Sequence, residues 1–366
     1  MSDAHDEPFS PRAPLMRALT VQPGVSGSAR LEQVAEPALT DGALLVQAIA
    51  VGICGTDVDI VRGEYGWAPD GRQRLILGHE SIGRVLEAPP DSGFAPGDLV
   101  VGIVRRPDPL PCAYCAQGEW DMCRNGAYTE RGIKSLDGYA SERFRLEPAY
   151  AVRVENALGT LGVLLEPTSV VAKAWEHAER IGQRSDAWRP RSVLITGAGP
   201  IGLLAALLGR LRGLDVHVFD RVTRGPKPML VAELGATYHA ATLPSVERLA
   251  PDMIFECTGA PAVVADVLTR SAPSGIVCLA GVSSGGRTVP LDLGDLNRRM
   301  VLENDVVFGS VNANRRHYEQ AAGALARADH AWLGRLITRQ VPLDRWADAF
   351  ERHEDDVKVV LRMEEA

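Results

Sequence analysis

The chain has 366 residues, 46% hydrophobic and 23% charged, which is enough for about two domains with substantial cores and ordinary for a globular protein. A net charge of −8, with Asp and Glu spread along the chain, argues against a nucleic-acid surface; no uninterrupted apolar run approaches the roughly 18 residues of a membrane helix, and the polar start MSDAHDEPFSPRAP lacks the apolar centre of a signal peptide. Six cysteines are too few for a disulfide scaffold, and their grouping points to metal in a reducing compartment, so a cytoplasmic location is expected.

Residues 1–14 are expected to form a flexible tail. Segments 16–20 and 43–50 read as strands. The block from about 15 to 165 has many short strands, frequent Gly and Pro and few helices, the texture of an all-β, barrel-like domain. Within it Cys54 sits in a glycine-flanked turn, His79 and Glu80 follow the apolar Leu75, Ile76 and Leu77, and Glu166 precedes Pro167. Thiolate, imidazole and carboxylate together suit Zn2+ better than a hard cation, and a catalytic zinc takes three protein ligands with a fourth position left open. These residues are far apart in sequence, so spacing alone does not make them converge. Singly, a cysteine is usually packing and a histidine a satisfied core residue; the joint pattern carries the weight.

From about 171 the texture changes. The pattern predicts a helix over 170–182, a loop over 183–190, then strands at 193–196, 216–219, 253–257 and 276–280 alternating with helices, which is a doubly wound parallel sheet. A helix over 314–327 and strands at 340–341 and 357–361 close the chain. On that helix His317 reads either as a substrate contact or as a capped or exposed histidine. Cys257 and Cys278 fall on predicted core strands and read as packing.

The most informative stretch is RSVLITGAGPIGLLAALLGR at 191–210, a β-branched strand, a G-x-G-x-x-G turn and a Leu/Ala helix. Gly197 permits the tight turn, Gly199 lets the backbone approach a pyrophosphate, and Gly202 lets the helix pack on the strand. The helix start, at Pro200 and Ile201, offers unpaired N–H groups to phosphates. Asp220 ends the next strand, 18 residues after Gly202, where a carboxylate would bond an adenosine ribose and favour NAD. Arg221 and Arg224 could each accept a 2′-phosphate, which leaves NADP open. Segments at the carboxyl ends of the parallel strands, around Thr258, around Ala280, Gly281 and Val282, and around Ser310, Val311 and Asn312, should line the nicotinamide half.

Here the motifs carry a resemblance. GICGTD at 52–57, GHE at 78–80, PGDLV at 96–100 and GAGPIG at 197–202 resemble the zinc-dependent medium-chain alcohol dehydrogenases over roughly residues 15–366. VRRP at 104–107, ERGI at 130–133, LDGY at 136–139, LEP at 165–167 and GSVN at 309–312 are similar to the glucose 1-dehydrogenase branch. The resemblance implies a GroES-like catalytic domain over 15–170, a Rossmann dinucleotide-binding domain over 171–315, and a C-terminal return to the catalytic domain over 316–366. It implies a catalytic zinc held by Cys54, His79 and Glu166, with Glu80 able to join or exchange. It also implies that Thr56, Glu130, Glu166 and Asn312 meet the sugar or the proton path, with Thr56 and Glu80 as the catalytic residues. The implied reaction is oxidation of an aldose, D-glucose or also D-galactose, at C1 to the aldonolactone with hydride transfer to NAD or NADP. A homo-oligomer, dimer or tetramer, is expected. Two rivals are a polyol or other secondary-alcohol dehydrogenase of the same fold and a non-catalytic nucleotide-binding regulator; the intact ligand set speaks against the second.

Two departures stand out. Cys112, Cys115 and Cys123 form C-x2-C-x7-C, whereas the family lobe carries a further cysteine where this chain has Pro109, next to Asp108. Three readings stay open: zinc held by the three cysteines and Asp108, a metal-free lobe, or, least suited to a reducing cytoplasm, a disulfide. Val104 replaces an amide found in some relatives, which leaves the choice among aldoses open. The adjacent Arg105 and Arg106 either face the cofactor phosphates or form a solvated pair bracing the loop.

Overall fold

The computed structural model describes residues 14–240, 249–283 and 285–364. The amino-terminal part is built on a seven-stranded sheet in the order Ala151–Val154, Leu99–Gly102, Glu80–Glu87, Leu44–Ile53, Lys358–Arg362 and Ile337–Pro342, with Arg143–Leu146 also paired to Leu44–Ile53. Leu44–Ile53 is its centre because its apolar positions are buried on both faces, against Leu19, Tyr139 and Phe144 on one side and Ile82 and Val154 on the other. A three-stranded sheet, Arg30–Ala35, Leu15–Val21 and Leu75–Ile76, lies beside it.

The second part is a six-stranded, all-parallel sheet in the order Thr237–Ala240, Asp215–Asp220, Ser192–Thr196, Met253–Glu256, Ile276–Leu279, Val306–Gly309. Strand order reverses at Ser192–Thr196, the switch point at which doubly wound sheets bind ligands. One face packs Val193, Ile195, Val216 and Val218 against Trp175 and the helix Pro200–Leu211; the other is covered by a smaller core of Leu194, Phe219, Ile254, Val267 and Val277. Trp175 stacks on Phe255 at 4.4 Å and donates its indole N–H to the Ala205 carbonyl.

The helix Leu165–Gly182 joins the two parts and starts five residues before the expected 170, so that Glu166 lies in its first turn. Pro167 does not delay the start, because a first-turn proline lacks only an N–H that would have no partner there. The helix Arg315–Arg327 packs along Leu165–Gly182, and the strands Ile337–Pro342 and Lys358–Arg362 then return to the first sheet.

Candidate active site

The chain brings Cys54, His79 and Glu80 together: their donor atoms all lie within 4.8 Å of one another. That spacing suits one ion about 2.0–2.3 Å from each donor. Local structure explains the convergence. Cys54 caps the short helix Gly55–Val61, and its own N–H donates to Asp57 Oδ2 at 2.9 Å. The other oxygen of Asp57, fully buried, lies 3.4 Å from His79 Nδ1, which leaves the imidazole's Nε2 free to face an ion. Burial works against a charged His79, but Asp57 and Cys54 raise its pKa well above the ordinary value. The Thr56 hydroxyl is 3.9 Å from the Cys54 sulfur.

Glu80 is paired with Lys358 from the penultimate stretch of the chain, and the Lys358 ammonium also donates to the Ile53 carbonyl at 2.9 Å. Gly52 makes room for this pair: a Cβ there would meet Glu80 Oε2 at 2.1 Å and Lys358 Cε at 2.8 Å. Glu166 stands outside the three-donor group but close to it. Burial pushes its carboxyl up to about 7, with His79 opposing the rise and Glu80 adding to it.

A second polar set lies where the two parts meet. Glu130 Oε1 accepts from Asn312 Nδ2 at 2.7 Å and from Arg105 Nε at 3.0 Å. Arg105 also stacks over Tyr128, while Arg106 donates to the Ile103 carbonyl, pairs with Glu147 and stacks over Tyr150. Both guanidiniums are buried and taken up by protein groups, Glu130 and the Asp121 carbonyl for Arg105 and Glu147 for Arg106, so the pair braces this region but is not the solvated pair expected.

The glycine turn divides its labour as its chemistry requires. Gly197 has φ of +92°, a Cβ on Gly202 would lie 1.7 Å from the Gly197 carbonyl oxygen, and a Cβ on Gly199 would point into open space. Open space in front of Gly199, at the cap of the helix starting with Pro200 and Ile201, is room for a pyrophosphate. Asp220 ends its strand nearly buried; Oδ2 accepts from the Ala198 N–H at 2.7 Å and faces Lys227, and Oδ1 accepts from the Val222 N–H at 3.0 Å. Both oxygens are engaged by protein. Arg221, Arg224, Lys227 and Arg352 line a cavity of about 570 Å³ beside it. On the nicotinamide side, the fully buried Glu256 accepts the N–H groups of Thr258 and Gly259, and its carbonyl accepts those of Ala280 and Gly281. Val282 and Val311 are exposed at the ends of their strands, and Ser310 is buried.

Cys112, Cys115 and Cys123 form a second group within 4.8 Å. Asp108 is not part of it: Asp108 Oδ1 accepts the Leu110 N–H at 2.8 Å. N–H groups of Arg124 and Cys115 lower the Cys112 thiol to about 6, while burial raises Cys115 to about 11. All six cysteines are free thiols. His317 is buried rather than exposed, and its Nδ1 accepts the Asn314 N–H at 3.2 Å, a capping role. No helix among the described residues is long and apolar enough to cross a membrane.

Sequence reasoning missed Asp57, Lys358 and Glu256. Asp57 had a legible signal, an acid three residues after the cap. Lys358 had none, being more than 270 residues from Glu80.

A GroES-like barrel bearing a thiol, imidazole and carboxylate, joined to a dinucleotide-type parallel sheet, defines a medium-chain alcohol dehydrogenase. Residues 40–156 match the alcohol dehydrogenase GroES-like domain and residues 159–363 the glucose dehydrogenase C-terminus. The chain belongs to the glucose dehydrogenase family. It is 42% identical over 353 residues to glucose 1-dehydrogenase 1 of Caldivirga maquilingensis, covering 95% of this chain and 99% of that one. It is 41% identical over 354 residues to the glucose 1-dehydrogenase of Thermoproteus tenax, covering 95% and 100%. Its fold is similar to that of Haloferax mediterranei glucose dehydrogenase in complex with NADP, Zn and gluconolactone, with a TM-score of 0.87, 32% identity and coverage of 96% and 100%.

Proposed function

We propose that the chain oxidises D-glucose, with D-galactose as the second candidate, at C1 to the aldonolactone, with hydride transfer to a nicotinamide dinucleotide. The observation that carries this reading is the convergence of Cys54, His79 and Glu80 in a chain so similar to glucose 1-dehydrogenases. When bound, zinc supplies Lewis acidity toward the sugar hydroxyl and the dinucleotide accepts the hydride. Cys54, His79 and Glu166 would hold the metal, with Glu80 as an exchanging ligand kept in place by Lys358. Thr56, beside the Cys54 sulfur, passes the hydroxyl proton outward, and Glu80 is its alternative carrier. Glu130 and Asn312 orient the sugar from the two sides of the cleft, and a site built from such groups rejects sugars that lack the matching hydroxyls.

The glycine turn, Asp220, Arg221 and the segments at Thr258, Ala280–Val282 and Ser310–Asn312 hold the dinucleotide. NADP is the preferred form on this reading: Lys227 neutralises Asp220, and Arg221, Arg224 and Arg352 outnumber Glu354 and Asp356 in the lining of the neighbouring cavity. Three clustered thiols support a second zinc in the lobe, with water rather than Asp108 completing it. The division into 15–170, 171–315 and 316–366 is supported by the two sheets and the returning strands. A homodimer is supported by the open edge strand Val306–Gly309 and the exposed Leu293, Val301 and Leu302 on the helix Leu293–Glu303 beside it. Free thiols fit a reducing cytoplasm.

The test is a kinetic panel of aldoses and polyols with NAD and NADP, zinc content being measured on the same sample. Lactone formation from glucose is expected; ketose formation from sorbitol with no aldose turnover overturns the reading.

A further inference from the structure

The residues proposed to meet the sugar, Glu130 and Asn312, belong to a closed ring of buried and part-buried polar contacts. Arg105 donates from Nη1 to the Asp121 carbonyl at 3.1 Å, as well as from Nε to Glu130. The Asp121 carboxylate accepts from Asn314 Nδ2 at 2.8 Å and pairs with Lys173 Nζ at 2.8 Å. Lys173 donates onward to the Val311 carbonyl at 3.0 Å, and the next residue, Asn312, returns to Glu130. The ring crosses the divide between the parts: Arg105, Asp121 and Glu130 come from the barrel side, Val311, Asn312 and Asn314 from the far side of the parallel sheet.

Lys173 is the hinge of the arrangement. It lies seven residues after Glu166 on the helix Leu165–Gly182, two turns along the same face, so one rigid helix carries a candidate metal ligand and the support of the sugar-facing segment. Lys173 and Asp121 are both nearly inaccessible to solvent, and a buried pair of this kind persists only when each charge is met by its partner and by further hydrogen bonds. The segment it supports is unusual in backbone terms: Asn312 has φ of +60°, the left-handed region that asparagine tolerates better than most residues. A conformation of that kind persists where its surroundings over-determine it. Here the carbonyl before Asn312 is pinned by Lys173, the Asn312 amide oxygen accepts the Ala313 N–H, and the amide nitrogen is turned to Glu130.

We propose that Lys173 and Asp121 are positioning residues for the sugar: they lock the Val311–Asn312 backbone and, through Arg105, the Glu130 carboxylate, so that the two sugar-facing groups are set across the cleft before substrate arrives. This rests on the reading that Glu130 and Asn312 bind the aldose. Because Ser310–Asn312 also lines the dinucleotide, sugar affinity should depend on the pair much more steeply than dinucleotide affinity does. Asp121 stands two residues before Cys123, so the three-cysteine lobe supplies the acid of the ring.

The test is a double-mutant cycle in the full-length, zinc-loaded protein, combining Lys173→Met with Asn312→Ala. Lys173→Met is expected to raise the glucose KM about tenfold with kcat much less changed, and to raise the Kd for NADPH, read by fluorescence titration, by a clearly smaller factor of about threefold at most. Because Lys173 acts through Asn312, the double variant should be no more than about twofold worse in KM than the worse single one. A folded Lys173→Met with unaltered KM overturns the inference, as does a dinucleotide Kd that rises in step with KM, or two effects on KM that multiply. Should Lys173→Met fail to fold, Asp121→Asn, which removes the charge at the same volume, carries the same test; if neither folds, the pair is fold support alone and the inference falls. A wild type that oxidises no aldose defeats the functional reading first; a wild type that does so with an unmoved KM in the variant defeats only this one.

Discussion

The two donor clusters of this chain are made in opposite ways. Cys112, Cys115 and Cys123 lie within twelve residues, and turn geometry gathers them; the N–H groups that lower the Cys112 thiol come from the same lobe. Cys54, His79 and Glu80 are gathered by a sheet, and their settings are made by distant groups: Asp57 behind the imidazole, Lys358 on the carboxylate, and Glu166 arriving on a helix. A local cluster can be lost without disturbing the donors of the other site. A cluster assembled from four elements is rigid where it matters and has a polarised outer layer, which is what a catalytic site needs.

The sharpest break is His79→Ala. It should lower turnover by about a thousandfold or more, because several kcal/mol of Lewis-acid stabilisation go with the ion, while dinucleotide Kd by fluorescence titration stays near that of the wild type. Normal turnover by a metal-depleted variant would remove the basis of the contrast. Next, Asp57→Asn should cost roughly 10–100-fold in zinc affinity or kcat/KM, measured by chelator competition and steady-state kinetics, since the imidazole loses the carboxylate that orients it. An unchanged zinc affinity would mean that the outer layer plays no part.

The lobe makes the contrary predictions. In the metal-free protein Cys112, with its thiol near 6, should react with iodoacetamide about tenfold faster at pH 7 than at pH 5. The sign follows from the nucleophile being the thiolate, whose share rises as pH passes through the pKa. Cys115, raised to about 11, should stay unreactive over that range. Loading with zinc should protect both, and peptide mapping of the alkylated protein distinguishes them. The smallest effect is expected from Cys115→Ser, which should remove the lobe ion, seen as a loss of one zinc per chain, with kcat nearly unchanged. A collapse of kcat in this variant would put the lobe inside the chemistry and erase the difference between the clusters.

Much of this was legible in advance where the determinant is short-range. The strand, glycine turn and helix at 191–210 could be read because each glycine answers to atoms within a few residues, as the 1.7 Å approach of a Gly202 Cβ to the Gly197 carbonyl shows. The helix Leu165–Gly182 starts five residues before the 170 that the pattern predicts, and it accommodates Pro167 because a missing N–H costs nothing in a first turn. The Arg105 and Arg106 pair could be read two ways, since a guanidinium's partner is a matter of what folds over it: here Glu130, the Asp121 carbonyl and two tyrosine rings.

Periodicity and motif spacing by themselves determined the class of fold and the glycine turn, because those depend on local backbone geometry, whereas the donor set was implied only by the family resemblance. Only the tertiary structure decided that Glu80 is held by Lys358, that the Asp220 carboxylate is taken up by Ala198, Val222 and Lys227, and that Glu130 and Asn312 touch across the cleft. Buried charges must find partners wherever the chain brings them, and in this molecule those partners lie tens to hundreds of residues away.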